Sequence, residues 1–206
     1  IMLDGRPFAP RSPAQAVKAG LGLVPEERRA EGLVLTKSVA FNLQLSNLAR
    51  IVRSPVLPLI DGRRRKSMSL AIIRDLAIKT PGTETPVGRL SGGNQQKVVI
   101  GRWLLRGPKV LMLDEPLDSL DLANQSAIAA LLQRICRSEG VSILLVAHDV
   151  NPIISHLDRV IYLAGGGAVQ GTPAEVITSE TLTRLYASPI EVLTTSDGRL
   201  VVVGQP

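Results

Sequence analysis

The strongest constraint on the fold is an alternation that begins after Gly107-Pro108. Val110 to Leu113 is a short apolar run, Leu122 to Glu139 repeats its apolar residues at helical spacing, and Val141 to Ala147 is a second apolar run. Runs this short read as buried strands. In the helix between them Ile128, Leu131, Leu132, Ile135 and Cys136 fall on one face, and Gly140 stands where a left-handed cap is needed. Strand, helix and strand in succession imply a parallel sheet covered by helices. Val160 to Leu163 is expected to add a third buried strand. Sheets of this kind bind ligands at the C-terminal ends of their strands. Both of the first two runs end in titratable groups, Asp114 and Glu115 after one, His148 and Asp149 after the other.

The segment ahead of this alternation reads differently. Ile1 to Gly5 is the end of a strand, Arg6 to Ser12 a Pro-rich loop, Pro13 to Gly20 a short helix, and Leu21 to Pro25 an apolar strand stopped by its proline. From about 33 to 105 helical periodicity dominates. Val39, Leu43 and Leu48 share a face; Arg63 to Lys66 open a helix carrying Ile72, Ile73 and Leu76; Val99, Ile100, Trp103 and Leu104 mark another, stopped by Gly107 and Pro108. Trp103 and Cys136 fall on apolar faces and are expected in the core. The basic run Arg63 to Lys66 reads as a solvated helix start that is also able to meet lipid head groups or a membrane partner. At the far end, Ile190 to Thr195 and Arg199 to Val203 flank Asp197-Gly198 and predict an antiparallel hairpin.

Composition removes several classes. At 206 residues with 45% apolar content, the chain can bury roughly 70% of its unfolded surface without a disulfide or metal staple. No apolar run reaches the roughly 18 residues of a membrane span. Cys136 is the single cysteine and cannot form an internal disulfide, which suits a reducing cytosol; one cysteine and two histidines also argue against a zinc site. Aromatics are 2%, too few for base stacking despite a net charge of +6. That charge is uneven: Ile1 to Leu113 holds 19 Lys and Arg against 7 Asp and Glu, and Asp114 to Pro206 holds 5 against 11. A solvated basic face, a basic tail on an acidic body, a basic lobe facing phosphates or membrane head groups, and two segments of different ancestry all fit such a split.

Three stretches carry chemistry. Leu90-Ser-Gly-Gly-Asn-Gln-Gln-Lys97 precedes a helical pattern, so Ser91 stands as N-cap and two glycines leave backbone N–H groups uncovered at the positive end of the helix dipole. That arrangement can hold a phosphate. Lys109-Val-Leu-Met-Leu-Asp114-Glu115-Pro116 delivers two carboxylates at a strand's end. The first suits Mg²⁺ through water, and the second can orient or deprotonate a water that attacks a terminal phosphate. His148, at the end of the next strand, can donate a hydrogen bond to that phosphate.

The order Leu90-Ser-Gly-Gly-Asn-Gln-Gln-Lys97, Leu113-Asp-Glu-Pro116, Ser119-Leu-Asp121, Val146-Ala-His-Asp149 resembles the signature motif, Walker B strand, D-loop and switch histidine of ABC-transporter ATPases. The likeness covers nearly the whole chain. It implies a single ATP-binding domain over 1–206 with a P-loop-NTPase-like parallel sheet, an inserted helical subdomain at about 33–105 that carries the signature and docks membrane subunits, and a catalytic α/β core with a C-terminal extension over 106–206. It implies ATP and Mg²⁺ as cofactors. Asp114 would hold Mg²⁺ through water, Glu115 act as base, His148 contact the γ-phosphate, and Asp121 reach across a dimer interface. Ser91, Gly92, Gly93 and Gln95 would complete the ATP site of the opposing subunit. Glu26 stands at the Q-loop position, with a coupling segment near Glu26 to Leu35.

The same resemblance implies partners: a second cassette, transmembrane permease subunits, indirectly a periplasmic or extracellular solute-binding protein, and no nucleic acid. The location it implies is the cytoplasmic face of the cell membrane, as a peripheral protein. Gly20 to Leu35, Ser38-Val39 and the Gly-Asn-Gln-Gln-Lys form of the signature are similar to the second cassette of monosaccharide-import ATPases. Leu117 to Asp121 and His148-Asp149 depart from that pattern, and Asp158 to Ala164, Gly171 to Ile177 and the closing hairpin are more similar to metal-ion-import ATPases, as if two ancestries, 1–113 and 114–206, met near Leu113 to Pro116. Sugar import is favoured over metal import. None of the 18 glycines precedes a lysine, so the Gly-x-x-x-x-Gly-Lys-Ser/Thr phosphate loop, Walker A, is not in this sequence. Family order places it ahead of Ile1, and the expectation is an N-terminally truncated cassette that neither binds ATP tightly nor hydrolyses it alone. Two other readings stay open: a silent cassette that only lends its signature to a partner, and a soluble ATPase acting on nucleic acid or ribosomes, whose long linker signatures are missing here.

Overall fold

The computed structural model describes residues 1–52, 59–164, 166–196 and 200–204. Two short strands, β1 (Met2–Leu3) and β2 (Arg6–Pro7), pair antiparallel where the sequence suggested one strand and a loop. Helix α1 (Pro13–Lys18) starts at Ser12, whose Oγ accepts the Gln15 amide, with Pro13 at the first helical position. Strand β3 (Leu21–Val24) follows and ends at Pro25 as expected. Residues Arg28–Gly32 then form a π-helical turn, a rare geometry that tends to occur at functional segments.

The helical region contains α2 (Val39–Gln44), α3 (Leu48–Ile51), α4 (Gly62–Asp75) and α5 (Gly92–Leu104). Ser38 and Asp61 cap α2 and α4 by accepting the amides of Phe41 and Arg64. Val39 and Leu43 are buried, but Leu48 is 51% exposed and Ile51 takes the inward place. The chain leaves α2 at Leu45 and re-enters a helix at Leu48, so the helical phase does not carry over. Ile72 and Leu76 pack with Leu43, Val98, Val99 and Ile100 in the main core, with Trp103 partly buried against it. Two buried polar groups tie this region together: Arg102 Nε donates to the Asn42 carbonyl at 2.8 Å, and Asn47 Nδ2 to the Arg102 carbonyl at 2.8 Å. Burial without a carboxylate partner pulls the Arg102 guanidinium down to about 10.

Strand β4 (Val110–Asp114), helix α6 (Leu122–Glu139) and strand β5 (Ser142–Val146) reproduce the expected alternation, and Gly140 closes α6 with φ of 64°. The parallel sheet has the order β3-β4-β5. Its register puts Val24, Leu111, Leu113, Ile143 and Leu145 on one face, where they join Ile128, Leu131, Leu132 and Ile135 of α6 in the core. Leu23, Met112, Asp114, Leu144 and Val146 alternate onto the other face. β5 was expected to be buried throughout; instead Leu144 and Val146 are 50% and 54% exposed, and Leu23 on β3 is 50% exposed. The reason is that helices cover only one side of the sheet among the described residues. Cys136 is half-buried.

The expected third parallel strand is a correction. β6 (Val160–Ala164) pairs antiparallel with β7 (Gly167–Gly171), a strand that sequence periodicity had not marked, and forms a separate two-stranded sheet. Its alternation is that of a one-sided strand: Val160 is buried while Ile161 and Leu163 are exposed. Helices α7 (Pro173–Val176) and α8 (Ser179–Tyr186) and the hairpin of β8 (Ile190–Thr194) and β9 (Leu200–Gly204) complete the chain. The Asp197-Gly198 turn lies outside the described residues. Ile154, Val160, Val176, Ile177 and Leu182 make a second, smaller core, against which Tyr162 packs, its ring edge-on to Tyr186 at 6.1 Å. Asn151 fastens the hairpin by donating to the Val202 carbonyl and accepting the Val202 amide.

Candidate functional site

All three parallel strands point the same way, so their C-terminal ends form one edge. β3 delivers Glu26 there, β4 delivers Asp114 and Glu115, and β5 delivers His148. Asp114 is the last paired residue of β4, opposite Val146, and its side chain is on the uncovered face. Glu115 donates its amide to the Val146 carbonyl at 3.0 Å and adopts φ of 39°. A non-glycine residue held there costs on the order of 1–3 kcal/mol and is characteristic of working sites. Ser119, four residues on, also has positive φ at 57°.

His148 Nδ1 lies 2.9 Å from Glu115 Oε2. The carboxylate can only accept, so the ring nitrogen is the donor. This hydrogen bond, followed by the attraction of the same carboxylate, raises the His148 pKa above its ordinary 6.5; Asp118 and Asp149 add smaller pulls in the same direction. The imidazole remains open to solvent while the Glu115 side chain is 20% exposed, so the histidine is available to an incoming group and the carboxylate is held behind it.

The second cluster surrounds the start of α5. Ser91 is the N-cap residue, yet its Oγ accepts from Asn94 Nδ2 at 2.8 Å and caps no backbone amide. The first-turn amides therefore have no side-chain cap, which preserves the helix terminus for an anion. Gly92 and Gly93 are needed for close packing: a Cβ at Gly93 would fall 2.4 Å from Asn124 Oδ1, and one at Gly92 would fall 2.9 Å from Arg28 Nη2 and 3.2 Å from Leu120 Cδ2. Asp121 caps α6, accepting from the Asn124 amide and from Asn124 Nδ2, and these bonds hold its carboxyl below the usual range. The glycines of one motif thus pack directly on the loop that carries Asp121. Gln95 is buried, and its amide donates to the carbonyls of Leu90 and Val87, so it braces the loop entering α5 from within.

Sequence reasoning had assigned no role to Arg28, Asn94 or Asn124. Arg28 Nη1 donates to the Asp118 carbonyl at 3.1 Å, its Nη2 faces Gly92, and its Nε is buried without a partner. Burial first, and then the neighbouring Arg29, lower its pKa. It bridges the π-turn after β3 to the loop after β4. The Asp121-x-x-Asn124 spacing was a local capping signal that could have been read; Arg28 acts across ninety positions and leaves no local trace. Glu26 is exposed at the sheet edge. Among the described residues no group of three or more His, Cys, Asp or Glu side chains is arranged to hold a metal alone. Mg²⁺ commonly uses one or two carboxylates with waters and phosphates, a donor set that Asp114 at this edge fits.

A family model described as ABC transporter matches residues 1–118. The chain is 37% identical over 188 residues, 91% of its length, to a ribose import ATP-binding protein of Hahella chejuensis. It is 42% identical over 166 residues, 81% of its length, to an arabinose import ATP-binding protein of Azospirillum brasilense. These alignments take in 37% and 31% of the two relatives, so the chain spans about a third of their length. The first also runs well past Leu113, so likeness to sugar-import proteins is not confined to the basic half. Among solved structures, an inward-facing metal-chelate-type ABC transporter matches with a TM-score of 0.74 at 22% identity, covering 91% of this chain and 72% of that one, which supports the fold alone. The Clostridium perfringens cbiO1 structure, part of an ABC transporter complex, matches with 0.69 at 26% identity, covering 89% and 69%. With the parallel sheet, the paired Glu115 and His148, and a family match over more than half its residues, the chain belongs to the ABC transporter family as a nucleotide-binding-domain sequence.

Proposed function

We propose that this chain works in ATP-driven solute import, contributing the carboxylate, histidine and signature elements of ATP sites that it completes with another cassette. The observation that carries this reading is the Glu115–His148 pair, held at 2.9 Å on a strained residue at the C-terminal edge of the parallel sheet. ATP with Mg²⁺ would supply the phosphoanhydride bond whose hydrolysis drives transport. Asp114 would take a Mg²⁺-bound water. Glu115 would accept the proton of an attacking water, and the His148 hydrogen bond to Oε2 would leave Oε1 free to do so. Ser91 and the first-turn amides at Gly92 and Gly93 would meet phosphate oxygens of a nucleotide held by a second cassette, with Gln95 bracing that loop. Asp121, which caps α6, would face the same partner, and Glu26 would relay its state to membrane subunits.

A sugar is the proposed solute, supported by the ribose and arabinose import relatives. Permease subunits and a solute-binding protein are the partners this reading requires, and a peripheral site on the inner membrane face follows from it. No helix among the described residues is long and apolar enough to cross a membrane. In this reading the β- and γ-phosphates are cradled by a phosphate-loop segment other than these 206 residues, none of whose glycines is followed by lysine.

The test has two arms. Calorimetry of the 206-residue chain with MgATP is expected to show no micromolar binding; micromolar binding would overturn the need for a partner. In the second arm the chain is fused behind a phosphate-loop segment, so that this loop and Glu115 share one cassette, and ATP turnover is followed. Glu115→Gln in this chain should lower turnover by about 10²–10⁴-fold while leaving nucleotide retention intact. Unchanged turnover would remove Glu115 from the base role. If Gly92→Asp then abolished turnover, the chain would be a silent donor of its signature.

A further inference from the structure

We propose that the outer face of α4 is a docking surface for anionic phospholipid head groups, independent of the ATP site. The helix has two unlike sides. Ser69 and Ile72 are buried, Gln44 Nε2 reaches Ser69 Oγ, and Ile72 packs into the main core, so the inner side is fixed. The outer side carries Arg63, Lys66, Ser67, Leu70, Ala71 and Arg74, which line one shallow groove along the helix. Their spacing of three and four residues stacks them on a single face. Arg63, Arg64 and Lys66 make no ion pair among the described residues. Arg74 meets only its exposed neighbour Asp75 at 3.1 Å, a contact of little strength in water. Arg65 is the exception, turned away to Glu84 at 2.6 Å.

Leu70 and Ala71 are interleaved with these charges in the groove. Leu70, between Lys66 and Arg74, is 48% exposed, and Leu59 and Ile60, immediately before the helix cap, are 56% and 52% exposed. Unpaired bases alternating with aliphatic tips are the composition of helices that lie in a head-group layer: the cations meet phosphates and the aliphatics enter the acyl boundary. Nucleic acid is the less suited occupant, because the face offers no aromatic platform for bases. An acidic protein segment would use the charges but leave the aliphatic tips without a function.

The probe is co-sedimentation of the 206-residue chain with vesicles of phosphatidylcholine alone or of phosphatidylcholine and phosphatidylglycerol in equal parts. Binding is expected only to the second, falling as salt is added. Each basic residue near such a surface contributes roughly fivefold in affinity, so R63Q/K66Q/R74Q should weaken binding by about a hundredfold. Removing three charges elsewhere, in R137Q/R159Q/R184Q, should leave it within a few-fold. Leu70→Gln keeps every charge and should weaken binding several-fold, which guards against misreading a poorly folded triple variant; circular dichroism of each variant checks the fold. No binding to the anionic vesicles, equal loss in the two triple variants, or a Leu70→Gln variant that binds like the original would each overturn the proposal. Binding of an oligonucleotide or an acidic peptide without vesicle binding would assign the face to that partner instead.

Discussion

Replacing Gly101 by alanine drives a methyl group into the junction of three helices, and its cost can be worked from the structure. The new Cβ would stand 2.6 Å from Ile72 Cγ2, 3.0 Å from Leu76 Cδ1 and 3.2 Å from Leu43 Cδ2, where ordinary contacts lie at 3.4–4 Å. All three neighbours are at most 9% exposed, so none can swing into solvent. Overpacking of this kind costs about 1–3 kcal/mol. Alanine recovers about 1 kcal/mol of helix propensity in return. The net expectation is destabilisation by about 1 kcal/mol. Gly62, at the start of α4, has nothing within 4 Å of its would-be Cβ, and Gly62→Ala should be neutral or stabilising. Urea titration followed by Trp103, the only tryptophan, reads both, since it packs on the same core two positions from Gly101. Ile72→Ala removes the closest methyl and should couple favourably with Gly101→Ala by about 1–2 kcal/mol. A Gly101→Ala protein as stable as Gly62→Ala, or zero coupling with Ile72→Ala, would refute the packing argument.

The remaining predictions concern the site. Glu115→Gln weakens the hydrogen bond and removes the carboxylate charge that together raise His148, so the histidine should titrate closer to 6.5, as read by NMR of its ring protons; an unmoved titration would deny the pair in solution. The sign for stability follows from the raised folded value: the pair's contribution is fully present below 6.5 and is lost as pH rises through the folded pKa, and Glu115→Gln should flatten that dependence. Arg28→Ala breaks the bond to the Asp118 carbonyl and should speed amide exchange across residues 117–120 while the centre of α6 is unchanged. Exchange that stays slow throughout would show that the loop does not depend on Arg28.

Local signals carried the fold as far as elements, and the failures have one cause. The bounds of α6, its Gly140 cap and the strands at β3, β4 and β5 follow from periodicity and turn residues, which act within a few positions. Whether a strand has one covered face or two depends on what packs on it, and an apolar run such as Ser142–Val146 looks the same in either case. Partner choice was equally hidden for β6, whose apolar Val160–Leu163 stretch suited a parallel neighbour as well as the hairpin with β7. For the candidate site, motif order pointed to Asp114, Glu115, His148 and Ser91. The contact of Gly93 with Asn124 and the reach of Arg28 to Asp118 depend on tertiary proximity and became visible only in three dimensions.

The half-covered sheet has a consequence for thermodynamics. A folded monomer of 22.0 kDa is expected to expose about 9,300 Å², and this chain exposes 12316 Å². Against an extended chain of about 31,900 Å² it therefore buries about 61%, the fraction of a 60-residue domain rather than the 70% its length suggests. Leu23, Leu144, Val146, Ile161 and Leu163 are already wet in the native state and contribute little when the chain melts. Heat capacity of unfolding should accordingly fall below the roughly 2.5–3 kcal/mol/K that scaling by length gives. A ligand or partner that seats on the bare face would restore the missing increment, so calorimetry would register its arrival as a steeper, more curved stability profile.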